Sequence, residues 1–272
     1  SEIVRYAAER YITIVPEIDM PGHTNAALAS YPELNCDGRA RELYTGTKVG
    51  FSTLCAGKEI TYKFVDDVVR EISALTPGPW FHMGGDESHV TSEKDYRIFV
   101  EKVQDIVNAH GKIVIGWDEI ATVKMNDNSI AQFWGKDKNA LKAVEQGRKV
   151  LFSPASRAYL DMKYDSTTKT GLHWAGYIEV DKAYSWDPAA FVEGIERDDI
   201  TGVEAPLWSE TVTNMDEIEF MVFPRLPGIA EIGWTPALKR DWNEYRERLA
   251  VHARRFDILG IGFYRSPLVP WK

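Results

Sequence analysis

Two adjacent carboxylates, Asp86 and Glu87, close the run His82–Met83–Gly84–Gly85–Asp86–Glu87. Carboxylates crowded at the end of a buried strand repel each other. Repulsion and desolvation together can hold one of them protonated near neutral pH. A protonated Glu is a general acid, so the pair suits acid/base chemistry. Gly84 and Gly85 carry no side chains and let a ligand approach the backbone closely. The bland alternative is a solvated acidic turn. The apolar Trp80–Phe81 ahead of the pair and the flanking His82 and His89 argue against it. His82, Asp86, Glu87 and His89 are also metal-ligand types. They straddle a strand end, without the i, i+4 spacing of a helix-borne site, so no metal is expected.

Further polar and aromatic residues close other short apolar runs: Asp19 and His23, Trp117, Trp134, Tyr159 with Asp161, and Trp208 with Glu210. A sugar ring offers apolar C–H faces for an indole and hydroxyls for a carboxylate, so Trp beside Asp or Glu suits a carbohydrate. Each residue also has a plainer reading. For any one Trp, or Tyr159, that reading is core packing, and for Asp161 and Glu210 it is a cap or an ion pair; the binding role is favoured over each. Asp19 and His23 either orient the loop near Glu87 or satisfy buried backbone groups. Glu17, Asp118 and Glu119 read as structural.

The elements that must position these residues alternate. Apolar β-rich runs fall at Tyr11–Val15, Trp80–Met83, Lys112–Ile115, Ser129–Phe133, Val150–Ser153 and 202–207. Amphipathic helical patterns fall at 2–10, 61–75, 93–110, 138–147 and 239–258, with Gly111 as a C-terminal cap. Alternation of strand and helix signals a parallel α/β fold. Site-like residues at six separate strand ends favour a (β/α)8 TIM barrel over a doubly wound sheet, which gathers its site at one switch point. A closed barrel needs eight strand–helix units. The six visible ones are therefore expected to be the third to the eighth, in a single barrel domain over residues 1–272 with its first two units absent. No Gly-rich dinucleotide loop or P-loop occurs, so no cofactor is expected.

Composition narrows the partners. The net charge of −9 over 272 residues, with no long basic block, disfavours nucleic acid and anionic membranes. No apolar run is long enough to span a bilayer. Nine Trp, twelve Tyr and eleven Phe are a heavy aromatic load; core packing accounts for most of them, and several Trp beside carboxylates at strand ends suit sugar stacking. The two cysteines, Cys36 and Cys55, share one polar loop. A disulfide there would stabilise by about 3 kcal/mol in the chain-entropy model and would imply an extracytoplasmic protein. Two free thiols are the alternative.

The block His82–Met83–Gly84–Gly85–Asp86–Glu87–Ser88–His89 resembles the signature of family 20 glycoside hydrolases, the β-N-acetylhexosaminidases. In the same order come Pro16–Glu17–Ile18–Asp19–Met20–Pro21–Gly22–His23, Gly116–Trp117–Asp118–Glu119, Gln132–Phe133–Trp134–Gly135, Tyr159–Leu160–Asp161, Leu207–Trp208–Ser209–Glu210 and Gly262–Phe263–Tyr264–Arg265–Ser266–Pro267. The chain looks most like the secreted actinobacterial members. The resemblance implies an exo-acting retaining enzyme that removes terminal GlcNAc, or GalNAc, from oligosaccharides such as chitin fragments. The nucleophile would be the substrate's own acetamido oxygen. Glu87 would be the acid/base, Asp86 the partner of the acetamido N–H, and Tyr159 the donor to its carbonyl. Trp117, Trp134 and Trp208 would wall the pocket, and Asp161 and Glu210 would bind hydroxyls. The family's sugar-clamping Arg has no counterpart in these residues, which leaves a non-catalytic sugar-binding fragment as the second reading. On the pair alone, a retaining glycosidase with a protein nucleophile is the third.

Overall fold

Short runs rich in β-branched and aromatic residues form five strands: β1 (Trp80–His82), β2 (Ile113–Trp117), β3 (Ile130–Phe133), β4 (Lys149–Phe152) and β5 (Ile200–Val203). They neighbour one another in that order. β1, β2 and β3 run parallel, with Phe81 opposite Val114 and Trp117 opposite Gln132. The helices are α1 (Glu2–Ala8), α2 (Asn25–Ser30), α3 (Glu59–Leu75), α4 (Glu93–Ala109), α5 (Asp137–Glu145), α6 (Ala155–Ala158), α7 (Val180–Tyr184), α8 (Met215–Val222), α9 (Arg225–Trp234) and α10 (Trp242–Leu259). This is a computed structural model describing residues 1–272. It comprises two units, Ser1–Gln132 with Lys138–Val150, and Phe133–Asp137 with Leu151–Lys272. The division passes through β3 and β4.

In the first unit, α3 and α4 carry the expected apolar stripes. α3 buries Thr61, Tyr62, Val65 and Val69, and α4 buries Phe99, Val100, Val103, Gln104 and Val107. The three- and four-residue spacings set one face of each helix inward. Ser92 caps α4, its Oγ accepting the Asp95 N–H at 3.1 Å. Gly111, at φ +73°, closes the helix in the left-handed conformation expected of it.

The strand expected at Tyr11–Val15 does not form. Pairing with β1 falls later in the chain, on Pro16–Met20. The His82 N–H donates to Pro16 O (2.9 Å), the Ile18 N–H to His82 O (3.0 Å) and the Met20 N–H to Met83 O (3.1 Å). Only one bridge results, Glu17 with His82. Pro16 has no N–H and Pro21 ends the run, so the ladder cannot extend. Five strands therefore stand where six were expected.

The second unit also shifts its limits. β5 starts at Ile200 rather than 202, and beyond Val203 the chain keeps single bonds, Glu204 N–H to Phe152 O (3.0 Å) and Leu160 N–H to Pro206 O (2.7 Å). α10 starts at Trp242 because Asp241 caps it, accepting the Glu244 N–H at 2.9 Å. The core gathers Tyr164, Val180, Tyr184, Met221, Tyr245, Leu249, Ala250 and Val269. Arg225 is also buried, and its guanidinium lies 3.9 Å over the Tyr164 ring. It donates to four carbonyls: Leu160 (2.5 Å), Met221 (2.6 Å), Met162 (2.7 Å) and Ile178 (3.2 Å). No helix is long and apolar enough to cross a membrane.

Ser92→Ala should remove the α4 cap and cost about 1 kcal/mol. In urea unfolding the midpoint falls with the slope unchanged. An unchanged midpoint would mean that the cap contributes nothing.

Candidate active site

In the first unit, the tail of β1 turns sharply through Gly84 and Gly85, at φ +70° and +107°. The glycines do not leave room for a ligand, as their lack of side chains suggested. A β-carbon on Gly84 would overlap Asp19 Oδ1, and one on Gly85 would lie 2.7 Å from Ile120 Cγ2. The protein itself fills the space. Asp19 Oδ1 accepts the Gly85 N–H at 3.1 Å, and Tyr96 Oη donates to Gly85 O at 2.7 Å.

This turn delivers Asp86 and Glu87 to His23. His23 Nε2 lies 3.3 Å from Asp86 Oδ2 and 3.3 Å from Glu87 Oε2. Both His23 (φ +54°) and Glu87 (φ +46°) occupy the left-handed region, where a side chain is strained. Hydrogen bonds to Asp86 and Glu87 push the His23 imidazole up to about 10, so at neutral pH it is a cation. Asp19 is pushed the other way from ionisation. Burial, then the neighbouring Asp86 charge, raises its carboxyl to about 9. One crowded carboxyl is thus held neutral, and it is Asp19, far along the chain from the pair that suggested the effect. Asp86 Oδ1 is buried without an N–H or hydroxyl donor. The neutral Asp19 carboxyl also hydrogen-bonds to Asp86, and a carboxylate has lone pairs enough to accept a ligand N–H beside it. Asp19, His23 and Asp86 offer ligand atoms within 4.8 Å of one another, a spacing a cation could use. A protonated His23, donating to two carboxylates, has no lone pair to offer a metal.

Glu17, taken from the sequence as structural, holds one of the residues expected at the site. Its Oε1 accepts the Trp117 Nε1–H at 3.0 Å and lies 3.2 Å from His82 Nδ1. The buried Trp117 ring packs edge-on against His82, centroids 5.4 Å apart. No spacing rule links positions 17 and 117, which only the bridge between Glu17 and β1 brings together.

In the second unit, Trp134, Tyr159 and Trp208 form an aromatic set joined by Trp174. Ring centroids are 6.0 Å for Trp134 and Trp174, 5.9 Å for Tyr159 and Trp174, and 6.2 Å for Tyr159 and Trp208. Trp174 is 56% exposed and was not among the expected residues. Its signal in the sequence was an indole in the polar, Gly-bearing loop after Asp161. Asp161 is buried, and neither of its oxygens has a hydrogen-bond partner. Burial pushes its carboxyl up to about 6, and Glu210 adds repulsion. The N–H groups of Asp161 and Trp208 lie near enough to oppose the shift without hydrogen-bond geometry. Glu210 is exposed, in the turn after Trp208. Arg225 grips the carbonyls on either side of Asp161, at Leu160 and Met162. It fixes the backbone that carries Tyr159 and Asp161. The expected disulfide is present, Cys36 with Cys55.

Comparison with known proteins bears on both units. The family profile described as "Glycosyl hydrolase family 20, catalytic domain" matches residues 1–97 and 88–237. A beta-N-acetylhexosaminidase of Cellulomonas fimi is 42% identical over 276 residues, covering 100% of this chain and 55% of that protein. The solved beta-N-acetylhexosaminidase of Streptomyces coelicolor is 54% identical, with TM-score 0.97 over 100% of this chain and 56% of that one. The Streptomyces plicatus N-acetyl-beta-hexosaminidase in complex with thio-NAglucal matches equally, at 54% identity, TM-score 0.97 and the same coverage. The chain thus spans a little over half the length of these relatives. They are (β/α)8 barrels, and the sequence-ordered strands described above follow that fold. The chain belongs to glycosyl hydrolase family 20, within its catalytic domain.

Proposed function

We propose that the protein is an exo-acting, retaining β-N-acetylhexosaminidase that removes terminal GlcNAc, or GalNAc, from oligosaccharides such as chitin fragments. The observation that carries this reading is Asp86. One oxygen is held by the His23 cation while the other is buried and accepts no N–H or hydroxyl of the protein. A carboxylate in that state suits the N–H of a substrate acetamido group. The relatives point the same way: a Streptomyces plicatus β-hexosaminidase variant was solved in complex with product GlcNAc.

The chemistry runs in two steps. Glu87 gives its proton to the glycosidic oxygen as the bond from that oxygen to C1 breaks. The acetamido carbonyl oxygen attacks C1, forming an oxazolinium ion. Asp86 accepts the acetamido N–H and balances the positive charge, and Tyr159 donates to the attacking oxygen. Water then adds to C1, Glu87 takes its proton, and the ring reopens with retained configuration. Trp117, Trp134 and Trp208 exclude water around the acetamido methyl. Asp161, whose buried oxygens lack partners, accepts sugar hydroxyls together with Glu210. The disulfide supports a secreted protein.

The full-length protein should release nitrophenol from the β-GlcNAc derivative at least about a hundredfold faster than from the β-glucoside, which has no acetamido nucleophile. Comparable rates on the two would overturn the mechanism, and GlcNAc binding without turnover would overturn the activity. Asp86→Asn should fold normally and lose about a hundredfold in kcat on the GlcNAc substrate. A loss of equal size on the glucoside would remove the role given to Asp86.

The folded-state value for His23 is raised, from 6.5 to about 10. Its contribution to stability is therefore fully present below pH 6.5 and is lost as pH rises through about 10. Asp19, raised from 3.8 to about 9, pulls in the same direction. Urea midpoints should fall as the pH rises from 6.5 towards 10, less steeply in His23→Gln. Equal slopes would show that His23 is not a cation in the folded protein.

A further inference from the structure

The segment Gly50–Cys55 touches both of the turns that carry His23 and Glu87. Ser52 Oγ accepts the Thr24 N–H at 3.1 Å, and the Leu54 N–H donates to Pro21 O at 3.0 Å, on either side of His23. Thr91 Oγ1 donates to Thr53 Oγ1 at 2.7 Å and lies 2.5 Å from Ser88 Oγ, the residue after Glu87. Gly50 runs so close that a β-carbon on it would overlap the His89 ring and lie 3.1 Å from Glu87 O. The segment ends at Cys55, bonded to Cys36. The Cys55 N–H also donates to Leu34 O at 3.0 Å, and Thr61 Oγ1 donates to Cys55 O at 2.8 Å at the start of α3. One end is therefore anchored to the body of the unit by a covalent bond and two hydrogen bonds.

The turns that it touches are the ones needing restraint. His23 and Glu87 are non-glycine residues at φ +54° and +46°. Such conformations persist only where the surroundings hold them.

We infer that the disulfide-anchored segment Gly50–Cys55 is a positioning element that holds Glu87 and His23 in register for proton transfer. This rests on the acid role proposed for Glu87. Detaching the segment lets the two strained turns relax, which weakens protonation of the leaving group.

The test compares two substrates of the full-length protein: a 2,4-dinitrophenyl β-GlcNAc glycoside, whose leaving group departs without a proton, and chitobiose, whose leaving group needs one. Cys36→Ser/Cys55→Ser, and the wild type after thiol reduction, should lose about tenfold more kcat on chitobiose than on the aryl glycoside, with KM nearly unchanged. Reoxidation of the reduced wild type should restore the rate. Ser52→Ala keeps the disulfide and removes one attachment; it should show the same bias, about threefold, and decides the matter if the double variant does not fold. Folding is checked by circular dichroism. Equal losses on both substrates, or none, in folded protein would overturn the inference. Glu87→Gln separates this from failure of the underlying reading: if it keeps the wild-type ratio of the two rates, Glu87 is not the acid.

Discussion

Three carboxyl groups and one imidazole share the end of β1, and their mutual electrostatics constrain everything nearby. Asp19, Asp86 and Glu87 cannot all be charged at that density without a cation. The protein resolves this in two ways. Burial holds Asp19 neutral, and His23 gains a proton between Asp86 and Glu87. The arrangement requires Asp19 to pass where a side chain on Gly84 would stand, and it requires His23 and Glu87 to accept left-handed backbone. Those requirements propagate outward. Tyr96 of α4 ties Gly85, and the segment ending at Cys55 braces both turns.

The second unit solves a different problem with a different device. Asp161 is a buried carboxyl with unpartnered oxygens, an arrangement that costs stability unless a ligand repairs it. Arg225 does not neutralise it by direct contact. Its guanidinium is spent on four backbone carbonyls and the Tyr164 face, and so stiffens the backbone on both sides of Asp161. Rigid backbone allows a polar group to stay unsatisfied without the chain collapsing onto it. Trp174 meets Trp134 and Tyr159 edge to face, and Tyr159 meets Trp208 at a tilt, so none of these pairs is stacked flat.

Of the two carboxylates that look like an acid and a nucleophile, Glu87 keeps the acid part in the family 20 reading and Asp86 is not the nucleophile. The distinction is physical. A protein nucleophile must reach C1, whereas Asp86 is tied to His23 by one oxygen and keeps the other for a donor. That state favours orienting an N–H over attacking carbon.

How much of this was legible before folding follows from the range of each interaction. Local patterns were readable: the α3 and α4 stripes, the left-handed Gly111, and the alternation of strand and helix. So were blocks of adjacent residues, because Asp86 and Glu87 need only a strand end to be presented together. The Tyr11–Val15 strand was misread because β-propensity says nothing about a partner, and the pairing residues lie between two prolines. Glu17 with Trp117, the buried Arg225 and Trp174 went unread because they depend on contacts between residues far apart in the chain. The sequence by itself determined which residue types stand at the strand ends and to which family they belong. Only the tertiary structure decided which carboxyl is neutral and which acceptor is left free. Those depend on burial and on distances of 3 to 4 Å between distant segments, set when the strand ends come together.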